Sequence, residues 1–278
     1  MKLKTFPFVV ICVVLLAASQ VKAQNIHLGA TTAVNATFVF DKGITDADDL
    51  YKSEFTYKVA PIGFNFGVDL GRKFGLSLES IFAKQGQIYK IIDAAEQIKG
   101  ERKIDLKTLQ LPMLLKFMGG GNGGARGNFN FGPQLSLIRG AVESVQAQAG
   151  TFKIPDGMDF ESIQSQFPNA IDNGDNTYEI PSGGLPTTEI LSKKANDFKN
   201  SEFSLAAAFG LDIDLSKHMY LTTQVRATYS LTDMRNGDLI DQLKNGQNIF
   251  GNRSSLLIGM QIGLHWSLRT TRSFKFKE

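Results

Sequence analysis

Ala60-Pro61-Ile62-Gly63-Phe64-Asn65-Phe66-Gly67-Val68-Asp69-Leu70 alternates throughout. Ala60, Ile62, Phe64, Phe66, Val68 and Leu70 share one face, and Pro61, Gly63, Asn65, Gly67 and Asp69 share the other. Successive strand side chains point to opposite faces, so this reads as a strand with one apolar side and one small, polar side. The pattern recurs over about 26–40, 57–70, 74–85, 106–118, 128–138, 202–214, 219–232 and 254–268, eight strands in all. Each is long enough to cross a bilayer at a tilt, which takes about 9–11 residues.

The connections alternate in length. Those at 71–73, 119–127 and 216–218 are short or glycine-rich, and those at 41–54, 86–102, 143–201 and 233–253 are long and polar. Short turns at one end and long loops at the other are the habit of outer-membrane barrels. The apolar face is expected to point outward. The polar face carries Gly63, Gly67, Gly132, Gly210, Gly259 and Gly263, which suit a narrow lumen, and the mid-strand charges Glu79 and Arg226. Aromatic residues gather near both strand ends: Phe74, Phe117, Phe129 and Trp266 at the short-turn end, and Phe38, Phe40, Phe82, Phe203 and Tyr229 at the other. Two such girdles are expected at two membrane interfaces.

Upstream, Lys2 and Lys4 precede an apolar run over 6–18, and Val21-Lys22-Ala23 offers small residues for cleavage. This is the pattern of an export signal over 1–23. The single cysteine, Cys12, lies inside it, so no disulfide is expected in the exported part. The signal holds three of the 30 Lys and Arg and none of the 27 Asp and Glu, which leaves the remainder balanced and gives no support for nucleic-acid binding. The domain reading is therefore a signal at 1–23, a barrel at 24–268 and a basic periplasmic tail at 269–278. The segment 143–201 is the outlier, a long loop outside the cell with a net charge of −5 and a short helix expected around 160–167.

Glu79, Lys116, Asp212 and Arg226 project into the lumen in this register, together with Gln110, Gln134, Gln224 and Gln261. The interior of an eight-stranded barrel is just wide enough for side chains to fill. A plugged polar core is expected, with Glu79 and Lys116 as its ion pair. His27 and His265 also face inward on strands that become neighbours on closure, but two histidines make a poor metal signal. No catalytic residue, metal ligand or cofactor site is read from the sequence.

The stretches 63–70 (GFNFGVDL), 76–86 (LSLESIFAKQG), 109–117 (LQLPMLLKF), 131–133 (FGP) and 220–233 (YLTTQVRATYSLTD) resemble the PorT-type outer-membrane barrel family of Bacteroidetes-like bacteria. The resemblance runs from about 25 to 268, with Leu-Pro-x-Leu-Leu-Lys at 111–116 its most specific piece. It implies an integral protein of the Gram-negative outer membrane, and the strand pattern itself predicts an all-β, eight-stranded, antiparallel up-and-down transmembrane barrel of small OmpA/OmpX-like architecture. The founding member of the family is linked to type IX secretion and gliding. The chain departs from the pattern in the large 143–201 loop and in about ten residues after the last strand. A terminal aromatic that aids insertion would here be Trp266 or Phe276. The function expected is non-enzymatic, structural or binding through the long loops. The alternatives are an accessory of the secretion machinery and a small pore. The partners expected are outer-membrane lipid, lipopolysaccharide and other envelope proteins.

Overall fold

The computed structural model describes residues 25–45, 50–71, 73–119, 124–246 and 252–268. The signal at 1–23 and the tail at 269–278 lie outside the described residues. The elements run in order β1 (Asn25–Asp41), α1 (Lys42–Thr45), β2 (Tyr51–Glu54), β3 (Thr56–Asp69), β4 (Phe74–Ile92), β5 (Ile98–Met118), β6 (Ala125–Ala147), β7 (Gly150–Lys153), α2 (Phe160–Gln166), β8 (Ile171–Asp172), β9 (Thr177–Ile180), β10 (Leu185–Ser192), β11 (Ser201–Asp214), β12 (Met219–Ser230), α3 (Gly237–Gly246) and β13 (Arg253–Ser267). Eight of these strands form a ring, β1-β3-β4-β5-β6-β11-β12-β13, with every pair antiparallel. The first and last strands close it, from His27 opposite Ser267 to Asp41 opposite Arg253. Closure leaves no unpaired edge within the ring.

The large apolar side chains of the ring point away from its axis. Phe64, Phe131, Met260 and Trp266 are among many that stand half exposed. The inward residues at the same levels are polar or small: Asn65, Glu79, Gln110, Lys116, Gln134, Asp212, Gln224 and Gln261 are all buried. This is the apolar-out arrangement.

The opening stretch needs one correction. Ala60 was expected on the outward face with Ile62, but it is 1% exposed and packs inside against Ile81 and Ala83. Pairing between β1 and β3 slips between Thr31 opposite Gly63 and Ala33 opposite Ala60, which puts one extra residue on β3. Pro61 sits in that irregularity. Proline cannot donate to a ladder and is tolerated inside a sheet only at a bulge. The bulge flips the side-chain phase, so Val59 and Tyr57 face out and Ala60 faces in.

The second departure is larger. The 86–102 stretch, expected as a loop, continues β4 and β5 to a tight hairpin at 93–97. There the Asp93 carboxylate accepts from the N–H groups of Ala95 and Gln97, and Glu96 adopts φ 60°. β6 also runs on to Ala147. In the β5 extension the polarity of the two faces inverts. On β5 the outward residues change from Leu109, Leu111, Met113, Leu115 and Phe117 to Glu101, Lys103, Asp105 and Lys107. The inward residues change from Gln110 and Lys116 to the fully buried Ile104 and Leu106. β2 pairs with the far part of β4, and β10 with the far part of β6, making a wall β2-β4-β5-β6-β10 beyond the apolar belt.

The 143–201 segment folds into the mouth of this wall. It holds β7, α2, β8, β9 and β10, and β7, β8 and β9 form a separate small sheet. Helix α2 lies where a helix was expected. Asp159 caps it, its carboxylate accepting from Ser162 N–H at 2.8 Å. Phe152, Ile163, Phe167, Tyr178 and Ile180 are fully buried in one cluster with Val39, Ile91, Ile104, Leu106 and Val145 from the strands. The main apolar core of the protein is thus in this head and not in the belt. Truncating Phe167 or Tyr178 to alanine should cost the head about 3–5 kcal/mol. Limited proteolysis of membranes should then nick 155–200 faster, while the barrel keeps its heat-modifiable gel mobility. Loss of both together would show that barrel and head form one cooperative unit.

Candidate functional site

Among the described residues, ion-paired constellations stand in the interior at two levels, one level with the apolar belt and one in the head. In the belt, Arg226 of β12 grips Glu79 of β4 with two nitrogens, Nη1 to Oε2 and Nη2 to Oε1, each at 2.8 Å. Gln261 donates to Glu79 at 3.3 Å, and Asn65 donates to it at 3.3 Å. Lys116 of β5 instead holds Asp212 of β11 at 2.6 Å, and Asn128 and Thr222 each donate to Asp212 at 2.8 Å. The four lumen charges thus form two pairs, and the expected Glu79–Lys116 pair is not one of them. Register explains this. Lys116 lies opposite Gly75, four residues along β4 from Glu79, which is roughly 13 Å at 3.3–3.4 Å per residue. The cross-lumen partners are what bring the charges level. Asn130, Gln224 and Gln261 link the two pairs.

His27 and His265 do meet, as the closure of strands one and eight implies. Their ring centroids are 5.7 Å apart, and Tyr220 stacks on His265 at 4.6 Å. Each ring lies over a glycine opposite it in register, His27 over Gly67 and His265 over Gly29, where any Cβ would collide with the imidazole. Asp69 Oδ1 is 3.7 Å from His27 Nε2. Among the described residues no group of three or more His, Cys, Asp or Glu is placed to hold a metal ion. The cavity beside these side chains measures about 20 Å³, room for about one water.

On the outer face Phe74, Phe117 and Phe129 lie side by side at the short-turn end, with centroids 5.4 and 6.2 Å apart. Trp266 stacks on His218 at that same end, at 6.1 Å. At the far end Phe38 meets Phe40 at 6.3 Å and Phe55 at 5.2 Å. Phe82, Phe203 and Tyr229 stand exposed. Phe64, Phe66, Phe131 and Phe209 are exposed too, so aromatics fill the belt as well as its rims.

The head constellation was not read from the sequence. Arg253, Arg102 and Arg235 meet Glu143, Asp41 and Asp233 in a buried cluster. Arg253 Nε donates to Asp41 at 2.7 Å, and its Nη1 donates to Glu143 at 2.6 Å. Arg102 Nε donates to the same carboxylate at 2.6 Å, and its Nη1 donates to Gln166 of α2 at 2.8 Å. The Tyr51 hydroxyl donates to Gln166 at 2.9 Å. Arg235 Nη2 holds Asp233 at 2.7 Å, and Asp233 also accepts from the Arg253 N–H at 2.8 Å. β1, β2, β5, β6, β13, the segment after β12 and the mouth-filling helix therefore converge on one group of three cations and three carboxylates. All of these residues lie in stretches read as loops. The available signal was inward alternation of Arg102, Ile104 and Leu106 beyond the belt.

The family model for the outer membrane protein beta-barrel domain matches residues 19–236. The chain belongs to that family. Similar solved structures include the outer membrane protein OprG from Pseudomonas aeruginosa, at 13% identity and TM-score 0.40, covering 90% of this chain and 98% of that one. The outer membrane protease OmpT from Escherichia coli is 8% identical with TM-score 0.39, covering 89% and 98%. Ail, the attachment invasion locus protein of Yersinia pestis, is 9% identical with TM-score 0.37, covering 86% and 97%. No curated protein matches the chain.

Burial alone would raise the pKa of Glu143, but the fields of Arg102 and then Arg253 outweigh it and hold the carboxyl at about 2, against a usual 4.5. A carboxyl depressed on folding stabilises fully above its unfolded pKa, and that contribution is lost as pH falls through the folded one. The head should therefore keep its hydrogen-exchange protection at pH 5 and above, and lose it progressively from about pH 4.5 towards about 2. Arg253→Met leaves two buried carboxylates short of a partner, which costs about 3–5 kcal/mol. Exchange in 150–190 should then rise at neutral pH, and the acid loss should begin at higher pH. Exchange indifferent to both changes would show that the cluster does not hold the head.

Proposed function

We propose that this protein is a sealed, non-enzymatic outer-membrane barrel whose working part is the folded head. The head stands outside the cell in a structural or binding role, and an N-terminal signal exports the chain. The observation that carries this reading is the filling of the barrel mouth by 143–201, with Phe152, Phe167 and Tyr178 fully buried. The pore reading is disfavoured because the interior below is also occupied. The Glu79–Arg226 and Lys116–Asp212 pairs and the amides between them leave only water-sized space. The carboxylates of both constellations are engaged by cations at short range, which suits structural charge better than a reacting acid or base. The acidic balance of 143–201 favours a cationic partner over an anionic one.

A second reading, an accessory of type IX secretion, draws on the PorT-type resemblance of 109–117 and the neighbouring strands. One engineered cysteine tests both. Ser182 is exposed in the head, and the natural Cys12 lies in the signal. Ser182→Cys should react with a membrane-impermeant maleimide on intact cells, and the purified protein should carry no steady current in planar bilayers. Failure to label, or a stable channel, would overturn the proposal. Cross-linking from the same cysteine, read by mass spectrometry, decides between the readings. Recovery of secretion components would establish the second.

A further inference from the structure

Where β4, β5 and β6 leave the apolar belt, three cations stand side by side on the outward face. Lys84 lies directly opposite Lys107 in the β4–β5 register. Like charges placed so repel and destabilise a sheet. On the other side of Lys107, pairing with β6 slips between Lys107 opposite Gly140 and Thr108 opposite Ile138, which makes Arg139 the extra residue of a bulge. A bulge re-aims a side chain, and Arg139, like both lysines, is exposed. A Cβ at Gly140 would be 3.9 Å from both Cβ and Cδ of Lys107, which therefore leans towards the Arg139 side.

Among the described residues none of the three has a salt-bridge partner. The nearest carboxylate by register, Asp105, is already held by Lys58 at 3.0 Å and Lys103 at 3.1 Å. The sheet thus gathers positive charge here without neutralising it. Two residues towards the belt on the same faces stand Phe82, Leu109 and Leu137. The cations therefore sit roughly 7 Å beyond lipid-facing side chains, within reach of lipid headgroups.

We propose that Lys84, Lys107 and Arg139 bind a phosphate of the lipid A moiety of outer-leaflet lipopolysaccharide. Arginine takes phosphate oxygens through two parallel N–H groups, and the lysines add point charge. The three cations are exposed on an outward sheet face that continues into lipid-facing side chains. The occupant is thus a phosphate tethered by acyl chains that pack on Phe82, Leu109 and Leu137. The assignment rests on the orientation proposed above, with the head in the outer leaflet's aqueous space.

Native mass spectrometry of the detergent-purified barrel tests it, with bisphosphorylated lipid A, fully dephosphorylated lipid A and inorganic phosphate as separate probes. Bisphosphorylated lipid A should bind, and the dephosphorylated form should bind at least about tenfold more weakly. Lys84→Gln/Lys107→Gln/Arg139→Gln should lose a similar factor. Lys107→Gln alone should lose part of it, and Lys52→Gln, remote from the belt, should lose none. The triple variant should keep its heat-modifiable mobility, because the substitution removes a repulsion. Equal binding of both lipid A forms, or full retention by the triple variant, would overturn the site. Complete competition by millimolar inorganic phosphate would overturn the lipid assignment. Binding is read on isolated protein, so an inverted orientation would show only in the Ser182→Cys labelling and would not be confused with failure of the site.

Discussion

Inside a bilayer no water is available to a backbone N–H or C=O, and a strand satisfies these groups only by pairing on both sides. Everything else in this molecule follows from the closed ring that this requires. Closure sets β1 against β13 and so brings His27 to His265. It also holds the cross-lumen partners, Glu79 with Arg226 and Lys116 with Asp212, at a common level. With apolar side chains needed outside to meet lipid, the polar residues must turn inward and satisfy one another. The result is a dense hydrogen-bonded interior.

The same strands obey the opposite rule once they leave the belt. Water outside β5 favours Glu101, Lys103, Asp105 and Lys107 there, and releases the inner face to Ile104 and Leu106. A single strand therefore changes phase in meaning without changing phase in geometry. This inversion explains which parts were legible in the sequence. The eight ring strands could be read because lipid imposes one continuous apolar face of about ten residues. The extensions of β4, β5 and β6 read as loops because lipid no longer imposes an apolar outer face on them: it is charged on β5 (Glu101, Lys103, Asp105) and mixed on β4 (Ile88, Lys90) and β6 (Val142, Ser144, Gln146). Their buried inner face carries only every second residue.

Two finer misreadings have equally local causes. Ala60 alternates correctly with Ile62 on paper, and only the bulge at Pro61 puts it on the other face. The proline was a visible warning, since a paired strand interior does not tolerate it. The Glu79–Arg226 contact joins residues 147 apart in sequence across the lumen, and depends on stagger accumulated around the whole ring. Alternation identifies both as inward and leaves their heights undetermined. The buried head cluster is hidden for a different reason: its members, at positions 41, 102, 143, 233, 235 and 253, all fall in stretches that read as loops, so alternation does not place them inward at all.

That cluster does what the apolar core around it cannot. Side chains such as Phe152, Ile163, Phe167 and Tyr178 gain from any dry seat of adequate shape, because burial of apolar area carries little direction. Arg253 gains only when Asp41 and Glu143 are both within reach of its fixed fork, and Arg102 only when Glu143 and Gln166 are. A shift of α2 by one residue would leave Arg102 short of Gln166. Desolvating six charges is costly, and the short, multiply bonded contacts are what offset it. The core thus supplies the attraction that draws 143–201 into the mouth, and the cluster selects the one seat in which each of its own six charges is met.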